Sequence, residues 1–170
     1  MTTTIENDVH LRQPGASDGA AAWKLVCESP PLEANSCYAY LLLCEHFRDT
    51  CVIAERNGDV IGFVAAYRPP NQPDTVFVWQ IAVHESARGQ GLARTMLRHL
   101  LMRDVCKAVK YMDTTVTPSN EASRRTFHGL ARSLDVPCAE YTLFSANQFG
   151  GDNHEDEVQI HIGPMALHSS

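Results

Sequence analysis

The stretch Arg88-Gly89-Gln90-Gly91-Leu92-Ala93 follows an apolar run from Val76 to Val83 and opens a helical pattern. A strand-prone run, a glycine-rich turn and a helix start together present free backbone N–H groups to phosphate oxygens. The chemistry this spacing supports is capture of a molecule carrying a pyrophosphate. A P-loop requires Gly-Lys-Ser/Thr at the end of the turn, which is absent, and a Rossmann fingerprint requires Gly or Ala where Arg94 stands. An ordinary strand-to-helix turn is the plain alternative.

A second concentration of chemistry is Asp152-Asn153-His154-Glu155-Asp156-Glu157, dense in groups that bind or deprotonate ammonium ions. His154 can act there as a base or as a carboxylate partner. The plain alternative is a solvated acidic loop. The six cysteines, Cys27, Cys37, Cys44, Cys51, Cys106 and Cys138, form no C-x-x-C pair, and the eight histidines show no H-x-x-x-H or H-E-x-x-H spacing. No structural metal is expected, and the thiols are read as reduced, buried small hydrophobes.

Bulk properties set the bounds. At 170 residues the chain is one domain with room for a core. A net charge of −6 argues against nucleic acid as the main partner, because phosphate-backbone binding needs a basic face. No apolar run is long enough for a signal peptide or a membrane span, so the expected localisation is cytoplasmic.

Periodicity then supplies the elements. Residues 1–8 are expected to be disordered and Val9 to Gln13 to be a short strand. Ser17 and Asp18 cap a helix through Val26, which Pro30-Pro31 ends. Asn35 or Ser36 caps a second helix. Thr50 to Arg56 and Val60 to Tyr67 read as a hairpin about Asn57-Gly58. Thr75 to Val83 is a long strand. Leu92, Met96, Leu97, Leu100 and Leu101 form a helix stripe. Tyr111 to Val116 is a strand, Pro118-Ser119-Asn120 caps a helix through Phe127 and Leu130, and Glu140 to Phe144 and Val158 to Ile162 are the last strands.

That order, β-α-α-β-β-β-α-β-α-β-β, and the Arg-x-x-Gly-x-Ala spacing resemble the GCN5-related N-acetyltransferases. The implied fold is a mixed α/β sheet flanked by about four helices, whose central parallel strands splay to admit CoA. One subfamily is closer, the L-2,4-diaminobutyrate acetyltransferases of ectoine biosynthesis. The matching segments include Pro30-Pro31-Leu32-Glu33-Ala34-Asn35-Ser36-Cys37-Tyr38-Ala39-Tyr40, Val78-Trp79-Gln80-Ile81-Ala82-Val83, Thr114-Thr115-Val116-Thr117-Pro118-Ser119-Asn120 and Ile162-Gly163-Pro164. They span residues 9–164, leaving 165–170 as a tail. Glu33 stands where the family usually has Asp, and Asp113 where it often has Glu; each keeps the charge and moves it by about one methylene.

The resemblance implies acetyl transfer from acetyl-CoA to the 4-amino group of L-2,4-diaminobutyrate, with no metal. It assigns Ile81, Ala82 and Val83 to pairing with the pantetheine amides. Arg88, Gly89, Gln90, Gly91, Leu92 and Ala93 go to the pyrophosphate, and Asn120 and Ser123 to a further CoA contact. Asn120 as a helix cap and Ser123 as a surface serine are the plain alternatives. A backbone N–H of Val83 is the expected oxyanion donor, and His154 and Glu157 are the catalytic candidates. Because only the distal amine should react, Glu33, Asn35, Trp79, Thr115, Asn153 and His154 are assigned to the substrate, with Glu33 against its α-ammonium. Many relatives protonate the departing thiolate with a tyrosine where this chain has Phe127. One route has Tyr38, Tyr40, Tyr111 or Tyr141 reach in from elsewhere, and an unprotonated thiolate is the other. A homodimer paired through the apolar final strand is the expectation by analogy. Acetylation of another amine, or CoA binding without catalysis, are the competing functions.

Overall fold

The computed structural model describes residues 9–151 and 153–167. The disorder expected for 1–8, and Asp152 of the acidic cluster, lie outside them. Seven strands form one sheet: β1 (His10–Arg12), β2 (Val52–Arg56), β3 (Asp59–Tyr67), β4 (Thr75–Val83), β5 (Tyr111–Val116), β6 (Cys138–Phe144) and β7 (Glu157–Ile162). Their spatial order is β1-β2-β3-β4-β5-β7-β6. Every neighbouring pair is antiparallel except β4 and β5. Among the described residues there are four α-helices: α1 (Gly19–Cys27), α2 (Cys37–His46), α3 (Leu92–Leu101) and α4 (Glu121–Leu134).

Two apolar clusters sandwich the sheet. The larger joins Met96, Leu97, Leu100 and Leu101 of α3 and Phe127, Leu130 and Ala131 of α4 to Val76, Val78, Met112, Ile160 and Ile162 of the strands. The smaller joins α1 and α2 to Ile53, Phe63, Ala65 and Ala82. None of its members comes from β5, β6 or β7, so that half of the second face is left to polar side chains. Met165 belongs to the larger cluster and Leu167 packs against it, so the domain continues past Pro164.

One irregularity shapes everything that follows. On the β3–β4 ladder Ala65 faces Gln80 but Ala66 faces Val78, which makes Trp79 an extra residue on β4. A bulge of this kind shifts the alternation and increases the local twist. Val76 and Val78 therefore share a face with Ile81 and Val83 against the larger cluster, while Trp79 and Ala82 turn to the smaller one. The parallel pairing of β4 with β5 ends at Val78↔Thr114, one residue before the bulge. Beyond it the two strands diverge as a wedge.

Two expectations are corrected. The last strand, β7, is interior, paired with β5 on one side and β6 on the other; its backbone groups are used twice over and cannot pair with a second copy. The edge is β6. The thiols also differ among themselves. Cys44, Cys51 and Cys106 are buried, but Cys27 is exposed and Cys37 and Cys138 are intermediate. Burial pushes the Cys44 thiol up to about 12 and those of Cys51 and Cys106 to about 11. Native-state alkylation at pH 8 is expected to label Cys27 at least about tenfold faster than these three, because the thiolate is the reactive form; peptide mass spectrometry after timed quenching reads the order.

Candidate active site

A cleft of about 530 Å³ opens at the wedge on the α3–α4 side. Its floor is Ile81, Ala82 and Val83, its near wall Arg88, Gly89, Gly91, Leu92, Ala93 and Arg94, and its far wall Asn120, Ser123, Arg125 and Thr126. Gly89 and Gly91 have φ of 72° and 77°, a region that favours glycine. Gly91 is the N-cap of α3 and makes no side-chain cap bond, so the first N–H groups of the helix are left for a ligand. Three arginines converge on this cleft in a chain of net charge −6, which suits a phosphate-bearing molecule. The side chain of Arg88 also donates to the Val83 carbonyl at 3.0 Å.

Gln90 stands outside the cleft lining; its amide donates to the Ser86 carbonyl at 3.1 Å and braces the turn before the loop. Asn120 does two things at once. Its Oδ1 accepts from the Ser123 N–H at 3.2 Å, capping α4, and the residue lines the cleft.

The direction of the β4 backbone follows from one hydrogen bond. The His84 N–H donates to the Ile61 carbonyl, and Val83 faces Gly62. In an antiparallel ladder the backbone groups of successive residues point alternately to either side. Ala82 thus turns its N–H and C=O to β3, while Ile81 and Val83 turn theirs into the wedge. Of the three residues expected to pair with an extended ligand, Ala82 is corrected to a lining role. The Val83 N–H has the orientation an oxyanion donor needs.

On the other side of the wedge, Trp79 and Thr115 are the first residues past the last β4–β5 pair. The Trp79 ring stacks on Tyr40 at 6.3 Å. The main chain of the loop before α2 is tied to β4 by Gln80, whose Nε2 donates to the Glu33 carbonyl at 2.8 Å, and to α1 by the Trp23 indole, which donates to the Asn35 carbonyl at 3.0 Å. Tyr40, fully buried, donates its hydroxyl to Gln80 Oε1 at 2.7 Å, and burial raises its pKa. That phenol is a brace rather than a proton donor to the cleft. Gln80 was missed by the sequence reading, because a lone amide in an apolar strand carries no periodic signal.

The loop between β6 and β7 brings its residues to the same end of the sheet, since β7 starts beside Val116 at the end of β5. His154 Nδ1 lies 2.6 Å from the Glu155 carbonyl, which only accepts, so Nδ1 carries a proton and in the neutral ring the lone pair is on Nε2. Nε2 is 3.9 Å from Glu157, and the ring stacks on Phe149 at 3.7 Å. The acidic run divides by role. Glu155 accepts from the Ser119 N–H at 3.2 Å and from its hydroxyl, tying the loop to the start of α4; Asp156 accepts from the Ala146 N–H at 2.7 Å. Asn153 is exposed in the turn before His154.

Phe127 is 1% exposed in the larger core cluster, while its neighbour Thr126 lines the cleft. The helix turns this position away from the chemistry. Phe127→Tyr is expected to leave kcat unchanged within about twofold and to cost about 1–3 kcal/mol through an unsatisfied hydroxyl; paired turnover and urea-melt measurements check it.

Comparison with known proteins adds three findings. Residues 20–130 match the model of the acetyltransferase (GNAT) family. An L-2,4-diaminobutyric acid acetyltransferase of Bordetella parapertussis is 54% identical over 157 residues, covering 92% of this chain and 84% of its own, and one of Halalkalibacterium halodurans is 45% identical over 162 residues, 95% and 85%. The diaminobutyrate acetyltransferase EctA of Paenibacillus lautus, solved with its substrate L-2,4-diaminobutyric acid and coenzyme A, superposes with a TM-score of 0.90 at 45% identity, covering 93% of this chain and 96% of its own.

Proposed function

The chain belongs to the acetyltransferase (GNAT) family and within it to the L-2,4-diaminobutyric acid acetyltransferases, and from that premise we propose how its site divides the work. The enzyme transfers acetyl from acetyl-CoA to the 4-amino group of L-2,4-diaminobutyrate, giving N4-acetyl-L-2,4-diaminobutyrate and CoA. The observation that carries this reading is the wedge between β4 and β5, which opens to a phosphate-ready cleft that reaches Ser29 to Leu32 of the loop between α1 and α2.

On the donor side, the N–H groups of Gly91, Leu92 and Ala93 hold the pyrophosphate, aided by Arg88 and the close approach that Gly89 permits. Ile81 and Val83 pair with the pantetheine amides, and Asn120 and Ser123 close the far wall. On the acceptor side, Glu33 takes the α-ammonium, Asn35, Thr115 and Asn153 the polar remainder, and Trp79 the aliphatic stem. His154 Nε2 removes a proton from the distal ammonium, and Glu157 steadies the imidazolium that forms. The free amine attacks the thioester carbonyl. The Val83 N–H donates to the developing oxyanion; as the tetrahedral adduct collapses the C–S bond breaks, the CoA thiolate departs, and the second proton of the attacking nitrogen passes to solvent, leaving the neutral amide. No buried phenol in the cleft supplies a proton, and a thiol of pKa near 8.5 leaves as the anion at about pH 8.

The product has the chemistry of an ectoine precursor, placing the enzyme in compatible-solute synthesis under osmotic stress. No described helix is long and apolar enough to cross a membrane, and a cytoplasmic enzyme is the reading we adopt. The single domain spans residues 9–164 together with Met165 and Leu167. A homodimer is proposed through the edge at β6, where Tyr141, Leu143 and Phe144 are exposed; light scattering tests it. The activity is tested by thiol release from acetyl-CoA with L-2,4-diaminobutyrate, followed by mass spectrometry. Acetyl on N4 supports the reading. No release with this diamine, alongside turnover of other amines or tight CoA binding alone, overturns it.

A further inference from the structure

The half of the sheet that α1 and α2 do not cover carries a row of polar side chains, of which Asp113, Gln159 and His161 have no part in the mechanism above. Along β7, Glu157, Gln159 and His161 alternate with Val158, Ile160 and Ile162. Ile160 and Ile162 enter the core, so the other three share the opposite face. Asp113 and Thr115 of β5 lie beside them, paired with His161 and Gln159 respectively. Asp113 is 4% exposed and Gln159 6%. Asp113 Oδ2 accepts from Gln159 Nε2 at 2.8 Å, and Oδ1 lies 2.5 Å from His161 Nδ1.

These bonds have a directional consequence. An amide has one donor end and one acceptor end, and an ionised carboxylate only accepts. Asp113 therefore compels Gln159 to face it with the NH2 group, so that Oε1 points the other way. Oε1 is not sealed in the core without a partner, and no described residue donates to it. Gln159 faces Thr115 across the β5–β7 ladder, and Thr115 is the first β5 residue past the last β4 pair. Glu157 follows on the same face, two residues nearer the His154 loop. A carbonyl oxygen and a carboxylate in line at the mouth of the wedge form a lane suited to an ammonium group.

We propose that Gln159 is a specificity-determining residue for the amine acceptor, its carbonyl accepting an N–H of the substrate, and that Asp113, steadied by His161, is the positioning residue that fixes which way the amide points. The inference rests on the acceptor reading given under the proposed function. It explains why a carboxylate is buried with no arginine or lysine bonded to it among the described residues: its partners are one amide and one imidazole, and its work is orientation.

The test is steady-state thiol release by the full chain with varied L-2,4-diaminobutyrate, run beside KM for acetyl-CoA and a thermal melt. Gln159→Met keeps the length of the side chain and removes the acceptor. It is expected to raise KM for the diamine by about 10- to 100-fold, the range for a hydrogen bond to a charged group, with KM for acetyl-CoA within about twofold. Asp113→Asn frees the amide to turn and is expected to raise the same KM about fivefold or more, and Asp113→Glu to recover most of it. An unchanged diamine KM overturns the inference, as does a fall in kcat with both KM values moving together. If Gln159→Met does not fold, the two Asp113 variants decide by the same criteria. Wild-type protein that fails to acetylate the diamine overturns the functional reading and this inference with it; active wild type with unmoved variants overturns the inference alone.

Discussion

His154→Ala is expected to lower kcat by about two to four orders of magnitude, the range associated with a positioned general base, while KM for acetyl-CoA stays within about threefold. An alkylammonium of pKa about 10.4 holds its proton at neutral pH at a cost of roughly 4–5 kcal/mol to remove, so a group must be placed to take it. We assign that role to His154. The Glu155 carbonyl 2.6 Å from Nδ1 sets the tautomer, the stack on Phe149 sets the ring plane, and Glu157 lies 3.9 Å from the nitrogen that receives the proton. The donor cleft contains none of these groups, which is why KM for acetyl-CoA should hold. The variant should also show a diagnostic pH response. Without a base the reaction depends on free amine in solution, so kcat/KM should climb about tenfold per pH unit toward the amine's own pKa. A stopped-time thiol assay across pH 7 to 10 measures both. A loss of less than about tenfold at pH 7 would remove His154 from the mechanism.

The second large effect concerns stability. Gly163→Ala is expected to cost about 3–5 kcal/mol, and so to lower Tm by about 10 °C or more. Gly163 has φ of 130°, which L side chains rarely adopt, and a Cβ there would sit 2.4 Å from the Lys110 carbonyl oxygen and 2.9 Å from the Tyr111 ring. Neither neighbour can move freely. The Lys110 carbonyl accepts from the Met165 N–H at 2.7 Å, and Gly163 itself donates to the Pro137 carbonyl at 3.0 Å. This residue thus sits where the starts of β5 and β6 meet the end of the chain. A cost of that size removes a large part of a typical domain's 5–15 kcal/mol. Gly151→Ala is the control. A Cβ there meets nothing within 4 Å, and its urea midpoint should move by no more than about 0.5 kcal/mol equivalent. Equal melting of the two variants would refute the argument.

How far these features are legible in the sequence depends on how local their causes are. The bounds of β4 and β5 are found to the residue because an apolar run ends at a glycine turn in one case and at proline-containing capping residues in the other. The donor loop is legible for the same reason. The bulge is not, because Val76 to Val83 is apolar on both faces apart from Gln80, so the switch of alternation at Trp79 leaves no mark. The phase of α4 at Phe127 is likewise set by packing against α3 rather than by composition. The interior place of β7 is a matter of strand order, which no segment encodes by itself. The Asp113, Gln159 and His161 cluster gave a signal that went unread: polar residues at strict period two over β7, matched by Asp113 and Thr115 on β5. Within the described part of the acidic run, Glu155 and Asp156 accept from backbone N–H groups, a division of roles that composition does not encode.

The bulge at Trp79 also sets what kinds of change this protein can absorb. The wedge exists because β4 has one residue more than its ladder with β3 can accommodate, so its presence depends on a count and not on which side chain occupies the surplus place. Substitution at that place alters what the acceptor meets and leaves the donor cleft standing. Removal of a single residue from the strand would restore regular pairing, close the gap to β5 and erase both halves of the site together. At this strand the fold is expected to be permissive toward altered chemistry and intolerant of altered length.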